Sequence, residues 1–357
     1  MKPGSKLRRL AGVVAVAVVT AACAPIVGTS GPRSLLDMPP APGGLTDVAA
    51  RSSSSALAVG KTAHSRVLVA RWNGAVWKTL SDRALPRLSD LAAAAVFPGG
   101  GWVVGEYGLT DHGDGGGVGR PLILRVTGTT MRRVPVPKLS YSSALEDVAA
   151  TSAADAWAVG FTGRGPLVLH WDGTAWTRTQ LPATVERRVM AVDAVAATSL
   201  ASAWAVIRFR TGNFPRLMHW NGSQWGVVVM PDFGVRYGLY SVAATSARNV
   251  WAVGSGVILH WNGRRWTCAS IRNTLFAVST SSADNAWAVG GGGGQAVALH
   301  WNGHTWKQEV LTPTPRRVYF LQGVAAVPRS GRAWAVGSTE STDTKTLMLH
   351  WNGTAGR

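Results

Sequence analysis

The short motif Trp-Ala-Val-Gly recurs along this chain, and its spacing limits the possible folds more than any other feature. Counting variants, its copies begin at Leu57, Trp102, Trp157, Trp204, Trp251, Trp287 and Trp334. The intervals between them are 45, 55, 47, 47, 36 and 47 residues. A period of about 40–50 residues is typical of units that are small sheets and pack against their neighbours. The 357 residues therefore predict one domain of seven similar units.

A second signature, His-Trp-Asn-Gly-x-x-Trp, follows most copies of the first. Full copies, one with Asp for Asn, begin at His170, His219, His260 and His300; a variant begins at Arg71 and a shortened copy at His350. Asn-Gly and Asp-Gly adopt the positive φ angles of tight hairpin turns, so the strands on either side pair directly. All 17 tryptophans fall at three repeat positions. We therefore interpret them as structural residues that meet across the hairpin or pack between units.

Each repeat is predicted to contain four short strands, as in residues 147–151, 156–159, 167–171 and 176–180. The first strand is rich in Ala, Ser and Thr, which suits the crowded centre of a ring. The predicted fold class is all-β, a seven-bladed β-propeller of four-stranded antiparallel blades. Residues 353–357 are too few for a last outer strand, so we expect Arg33–Pro39 to complete the last blade and close the ring.

The two signatures together resemble the β-propeller repeats common in secreted proteins of high-GC Gram-positive (actinobacterial-type) bacteria. The similarity extends over Leu45–Gly353 and includes a more distant likeness to the kelch and Asp-box groups. A regular Gly-Gly pair, typical of kelch repeats, is missing. The segment Asp172-Gly173-x-x-Trp176 is one residue shorter than an Asp-box. The resemblance implies the fold and leaves the ligand open.

The N-terminus has the pattern of an export signal. Basic residues in 1–9 precede the apolar run Leu10–Val19, and Thr20-Ala21-Ala22 precede Cys23. These small residues before a cysteine resemble the bacterial lipobox, which implies that Cys23 is acylated, for example with palmitate. We expect a signal peptide at 1–22, a tether at 23–32 and a single propeller at 33–357. The protein would be extracytoplasmic, anchored by lipid to the outer face of the cell membrane; secretion after cleavage near Ala24 is the alternative.

The charge balance indicates which partners to expect. Lys and Arg number 36 against 18 acidic residues, a net charge of +18. This excess favours an anionic cell-envelope polymer, a lipid or a protein partner, and we expect a monomer that does not bind nucleic acid. The alternative is that the basic surface serves solubility alone. An acylated Cys23 would leave Cys268 without a disulfide partner, because the chain has two cysteines.

The candidate ligand site lies in the connections that precede the first strand of each repeat. Basic and aromatic residues recur there at nearly equivalent positions: Arg87, Arg188, Arg236, Tyr237, Arg272, Arg317 and Tyr319. Guanidinium groups gathered at one end of a channel would bind carboxylate, sulfate or phosphate through forked hydrogen bonds. The alternative is a set of unrelated surface arginines. The primary functional hypothesis is a non-catalytic binding or scaffold protein.

We identify no catalytic set and expect neither a metal nor a cofactor. The repeated histidines occupy one position in successive blades, too far apart to share a metal ion. We expect each to bond to the neighbouring blade instead. Asp111, His112 and Asp114 in a Gly-rich loop are weak metal candidates. The alternative function is a glycan-active hydrolase or lyase, for which acids would have to converge with Tyr237 or Tyr319 at the channel.

Overall fold

The computed structural model describes residues 23–26, 29–34, 43–62, 66–81, 85–86, 88–108, 119–212, 216–233, 238–312, 318–339 and 346–352. Two short strands come first, β1 (Ala24–Pro25) and β2 (Thr29–Ser34). The first repeat then forms β3 (Gly43–Ser52), β4 (Ser55–Thr62), β5 (Val67–Trp72) and β6 (Trp77–Thr79). These four pair antiparallel in sequence order, which is the expected blade.

Three further four-stranded blades follow the same order. The second contains β7 (Ser89–Phe97), β8 (Gly100–Tyr107), β9 (Arg120–Thr127) and β10 (Thr130–Arg133). The third contains β11 (Ser143–Ala150), β12 (Ala156–Thr162), β13 (Gly165–Trp171) and β14 (Trp176–Arg178). After a short helix, α1 (Ala183–Glu186), the fourth contains β15 (Val189–Ser199), β16 (Ser202–Phe209), β17 (Arg216–Trp220) and β18 (Trp225–Val227).

The blade count differs from the prediction of seven. The next strands are β19 (Leu239–Ser246), β20 (Asn249–Trp261), β21 (Trp266–Ser282), β22 (Asn285–Gly292), β23 (Gln295–Trp301) and β24 (Trp306–Thr312). With β1 and β2 they form one eight-stranded sheet. It joins two repeats because β21 continues without a break from the outer position of one to the inner position of the next. The described strands therefore form six blades, and the prediction of seven is wrong.

The described start of the predicted N-terminal closing strand, Arg33 and Ser34, does not pair with the last blade. The last sheet consists of β25 (Val318–Ala326), β26 (Arg332–Thr339) and β27 (Thr346–Asn352). The N-terminal strand β2 pairs instead with β24, in the preceding sheet, and the pairing is parallel. The segment that pairs also begins before Arg33, with Thr29 opposite Gln308. Residues 35–39 of the predicted closing strand lie outside the described residues.

Contacts between inner strands close the ring without that strand. Each innermost strand packs against the next, and β25 packs against β3, so the last sheet meets the first. The approach is tight, because a Cβ atom on Gly323 would lie 2.7 Å from the Cα of Asp47. Side chains reinforce this inner ring: the Asp47 carboxylate accepts from the Ala94 amide at 2.9 Å, and Asp147 accepts from the Val195 amide at 2.8 Å. Strand one is therefore innermost, as predicted.

The tryptophans fill the space between neighbouring blades. Trp157 of β12 is buried between Trp220 and Trp225 of the next blade, with ring centroids 5.1 and 5.2 Å away. Trp171 and Trp176 also meet across their own hairpin at 5.8 Å. Both predicted contacts are confirmed. In the hairpin turn Gly173 has the expected positive φ, 99°, and the Asp172 side chain accepts amide hydrogen bonds from Thr174 and Ala175.

The repeated histidines are structural, but their partners lie in their own blades. His260 stacks on Trp251 with ring centroids 3.7 Å apart, and its Nε2 is 2.8 Å from Asn249 Oδ1. His170 has the same arrangement with Trp157 and Asp155. The expectation of bonds to the neighbouring blade is therefore wrong. Burial lowers the pKa of His260 to about 4, so this ring is neutral near pH 7.

Candidate functional site

Strand direction defines two faces of the ring. Because the strands alternate in direction, the two-to-three loops and the four-to-one connections lie on one face, which we call the upper face. The one-to-two turns and the His-Trp-Asn-Gly hairpins lie on the lower face. Each inner strand begins at the upper face, so residues near its start surround the upper mouth of the channel.

A β-bulge near the start of each inner strand selects the side chains at this mouth. In β11 the pairing with β12 skips Glu146, because Leu145 pairs with Gly160 and Asp147 with Val159. The same shift recurs in the other inner strands. Bulges re-aim side chains and often occur beside binding sites. The skipped positions, which we call the bulge ring, are Thr46, Ala92, Glu146, Asp193, Tyr240, Phe276 and Gln322.

The Gly of Trp-Ala-Val-Gly lies directly against the bulged backbone in six of the seven repeats. A Cβ atom on Gly160 would lie 2.1 Å from the Ala144 carbonyl oxygen and 2.9 Å from the Cα of Leu145. Gly60, Gly105, Gly254, Gly290 and Gly337 meet the equivalent carbonyl at 2.0–2.2 Å. In six of the seven repeats the motif glycine therefore lets the bulged backbone approach closely; the fourth repeat has Ile207 at this position and still forms the bulge.

Two acids occupy adjacent positions of the bulge ring. Glu146 and Asp193 are both partly buried, and burial followed by the neighbouring Asp193 charge raises the pKa of Glu146. Arg208 Nη2 lies 2.8 Å from Asp193 Oδ1 and partly offsets the burial that raises the pKa of Asp193. Burial and the charge of Asp90 also raise the pKa of Glu106. We call Glu106, Glu146 and Asp193 the acidic arc; another cation placed there would be stabilised.

Below the acidic arc, two further carboxyls are used to join blades. Burial raises the pKa of Asp147 to about 8, with a further contribution from the Asp47 charge, although two backbone amides donate to it. Burial likewise raises the pKa of Asp47 to about 6. These two carboxyl groups hold the inner strands together. The hydrogen bonds that they accept from backbone amides explain their position without a ligand.

Aromatic residues occupy another part of the mouth. The Tyr240 and Phe276 ring centroids are 6.0 Å apart, and Phe276 and Phe320 are 5.8 Å apart. Tyr240 is 43% exposed and Phe320 is 41% exposed. The Tyr240 hydroxyl lies 3.1 Å from Ser255 Oγ, which fixes the ring. We call Tyr240, Phe276 and Phe320 the aromatic arc.

The structure does not bring together the two predicted arginines that it describes fully. Arg188 lines a cavity beside the fourth blade, with its guanidinium carbon 5.6 Å from the Phe209 ring centroid. Arg272 lines a different cavity of about 520 Å³, with Ile26 and Gln308. Arg87, Arg236, Tyr237 and Arg317 lie outside the described residues, as does the side chain of Tyr319. The predicted arginine ring stays a prediction.

The predicted lipidation site, Cys23, is part of a disulfide in the structure. Cys23 and Cys268 form a disulfide, with Cα atoms 4.7 Å apart, and β1 pairs beside it with β21. A thioether-linked lipid would use the same Cys23 sulfur, so one molecule carries either the lipid or the disulfide. Acylation of Cys23 stays a prediction. In the described part of the chain, no helix is long and apolar enough to cross a bilayer.

Within the described ranges, no cluster of three or more His, Cys, Asp or Glu side chains is placed to hold a metal ion. Asp111, His112 and Asp114 lie outside those ranges.

The bulge ring is not evident from the repeat motifs. Its residues are those that vary between otherwise similar copies. The position after the recurrent Leu or Val of strand one is Glu, Asp, Tyr or Phe in four successive repeats. That variation is visible in the sequence. The sequence of strand one does not predict the bulge, however, and without the bulge these residues cannot be recognised as one group.

The fold and the site define a β-propeller whose channel mouth has an acidic arc and an aromatic arc. No family model and no curated protein matches the chain. Among solved structures, it is similar to YCF48 bound to D1 peptide, with a TM-score of 0.59, 16% identity, and coverage of 94% of this chain and 100% of that one. YCF48 from Cyanidioschyzon merolae gives a TM-score of 0.59 and 16% identity over 88% of this chain and 98% of that one. A chain of the mitotic checkpoint complex gives 0.56 and 12% over 98% of both. These likenesses show the fold.

Proposed function

We propose that this protein is a non-catalytic binding scaffold that holds a peptide segment of a protein partner at the upper channel mouth. The observation that carries the proposal is the division of the mouth into an aromatic arc and an acidic arc. Exposed aromatic side chains bind apolar groups, and partly buried carboxylates favour a cation. A segment with an apolar side chain close to a Lys or Arg fits both.

The structural comparisons support a peptide as the occupant. One similar structure is YCF48 bound to D1 peptide, and another is part of a checkpoint complex. Carried over to this chain, they favour a propeller that acts by binding other proteins. We expect the local charge of the acidic arc to set the specificity at the mouth, although the chain as a whole has a net charge of +18. An acidic peptide would meet repulsion at the mouth, whereas a basic residue there would be attracted.

We also propose that the protein is exported and anchored by lipid. An exported, lipid-anchored protein would present its propeller at the outer face of the cell membrane. The overall positive charge supports contact with an anionic envelope polymer or with lipid headgroups, outside the channel mouth. Arg188 and Arg272, both on the upper face, are the described residues of the predicted arginine set that would contribute.

One observation favours the alternative of a glycan-active hydrolase or lyase. Glu146 and Asp193 are neighbouring acids, the pKa of each is raised, and Tyr240 occupies the next position of the bulge ring. Paired carboxyl groups with raised pKa values are typical of glycosidases. Release of product from neutral or acidic oligosaccharides, abolished in Glu146→Gln, would support this alternative over the scaffold.

The peptide proposal is tested with a displayed library of short random peptides selected against the purified protein. We expect enrichment of sequences with an aromatic or aliphatic residue near a Lys or Arg. Calorimetry then compares selected peptides on two variants, Tyr240→Ala/Phe276→Ala and Glu146→Gln/Asp193→Asn. Each should weaken binding about tenfold or more, which corresponds to about 1.4 kcal/mol.

The matched control lies on the opposite face. Leu200 is 66% exposed in a one-to-two turn, so Leu200→Ala removes an exposed apolar side chain without touching the mouth. It should leave peptide affinity unchanged. Selection of acidic peptides, or equal weakening by Leu200→Ala, would overturn the proposal.

A further inference from the structure

A groove separate from the channel mouth lies between the second and third blades on the upper face. Its volume is about 690 Å³, within the range of sites that hold small molecules. The end of β8, the start of β9 and the connection after β10 form its walls. Among the described residues, neither Arg188, Arg272 nor any member of the bulge ring lines it.

Two tyrosines, each with an arginine over one ring face, distinguish this groove. The Arg133 guanidinium carbon is 4.2 Å from the Tyr107 ring centroid, and the same guanidinium donates to the Tyr107 hydroxyl. The Arg164 guanidinium carbon is 4.0 Å from the Tyr141 ring centroid. Tyr107 and Tyr141 both line the groove, and Tyr141 is 41% exposed. Stacking orients the arginine and leaves guanidinium N–H groups for a ligand.

The charged residues that line the described part of the groove are all basic. Arg120, Arg133 and Lys138 line it and are exposed, and its described lining contains no Asp or Glu. Concave surfaces with one sign of charge concentrate ligands of the opposite sign. The groove is therefore the electrostatic opposite of the acidic arc, and it would not take the same partner.

The groove walls are rigid. Pro121, Pro135 and Pro137 provide apolar surface with a fixed backbone φ angle. The Ser143 amide donates to the Gly119 carbonyl at 2.9 Å and the Gly163 amide to Ser142 at 2.8 Å, which tie the connection to the neighbouring loops. A preformed site loses less conformational entropy on binding.

We propose that this groove binds an acidic saccharide, a sugar that carries a carboxylate or a sulfate. Tyrosine and proline surfaces suit the C–H faces of a sugar ring, and the Arg120 and Arg133 guanidiniums suit its acid group in a bidentate geometry. The volume accommodates a unit about the size of a disaccharide. This site adds a second ligand class to the peptide proposal and does not rest on it.

Calorimetry with defined disaccharides tests the site. The probes are a disaccharide of glucuronic acid and N-acetylglucosamine, a sulfated disaccharide, and neutral diacetylchitobiose. We expect binding of one or both acidic probes, at least about tenfold tighter than the neutral one, with affinity that falls as salt rises. Equal affinity for the neutral probe, or no binding of either acidic probe, would overturn the proposal.

Two double variants, each of which removes two positive charges, distinguish binding in the groove from general attraction to a basic surface. Arg120→Gln/Arg133→Gln should weaken acidic-saccharide binding about tenfold or more. Arg264→Gln/Arg265→Gln removes the same charge from exposed positions on the lower face and should have little effect. Equal loss in both would show attraction to net charge only and overturn the site. Because Tyr240→Ala/Phe276→Ala leaves the groove intact, failure of the peptide proposal and failure of this one are distinguishable.

Discussion

Trp334 packs edge-on against Trp77, with ring centroids 5.3 Å apart and ring planes at 86°. This contact joins the last sheet to the first. It has the geometry of Trp157 with Trp225, 5.2 Å and 84°, which joins two blades in the middle of the chain. The ring is therefore closed by the same side-chain contact that holds its other blades together, and it requires no additional strand.

Replacing the closing tryptophan should therefore destabilise the whole ring. Trp334 is buried, and Trp334→Ala should lower the free energy of unfolding by about 3–5 kcal/mol, as expected for loss of a large buried ring. Denaturant unfolding followed by circular dichroism measures the change. Trp261→Ala is the control, because Trp261 is half-buried and packs on Trp266 at 5.6 Å. Equal losses in both variants would contradict closure by Trp334.

The motif glycine gives a second prediction. Gly160→Ala should destabilise by about 1–3 kcal/mol or more, because its Cβ would collide with backbone atoms of the bulged strand. Gly226→Ala is the matched control, since no atom lies within 4 Å of its Cβ position. That variant should be neutral or slightly stabilising, because Ala reduces the entropy of the unfolded chain. A Gly160→Ala protein as stable as Gly226→Ala would show that the bulge is not constrained at this glycine.

The repeat architecture could be predicted because its signals are local. Asn-Gly turns, the alternation of strands and the positions of tryptophan are set within a few residues, as in Trp171-Asp172-Gly173. The number of blades could not be predicted, because it depends on whether a connection breaks a strand. The interval from Trp251 to Trp287 is 36 residues, the shortest in the chain, and there β21 passes between repeats unbroken.

The candidate site was less accessible from the sequence. Arginine-rich connections were prominent, yet Arg188 and Arg272 line separate cavities. Glu146 and Tyr240 are placed by bulges at which the inner strand pairs with a glycine about 15 residues away along the chain. Residues of this kind become recognisable as a set only when the inner strands are in register.

The partly buried inter-blade carboxyl of Asp147 makes stability depend on pH. The pKa of Asp147 is about 8 in the folded state against 3.8 as the reference, so between these values the folded protein binds the proton more tightly. The contribution of this group to the free energy of unfolding is therefore greatest below about pH 4 and falls as the pH rises towards 8. Asp147→Asn should remove the contribution of this group to the fall over the whole range from about pH 4 to 8, measured by denaturant unfolding at several pH values.

Ser241 provides the control for that pH experiment. It occupies the equivalent position in β19, and its hydroxyl accepts from the Val278 amide at 3.2 Å without a charge. Ser241→Ala should lower stability by about 1 kcal/mol at every pH and keep the wild-type slope. A slope unchanged in Asp147→Asn would show that this carboxyl is ionised in the folded state.

The Cys23–Cys268 pairing gives a prediction about the N-terminal strands. In protein folded under oxidising conditions, mass spectrometry of non-reduced peptides should recover the two cysteines as one linked species. Because the disulfide spans 245 residues and holds β1 beside β21, Cys268→Ser should lower stability by about 2–4 kcal/mol and increase protease cleavage near β1. Ser270→Ala, in the same strand, should do neither. In protein exported by a cell, a lipid-modified Cys23 peptide together with a free Cys268 thiol would support the lipobox prediction and exclude the disulfide in that form.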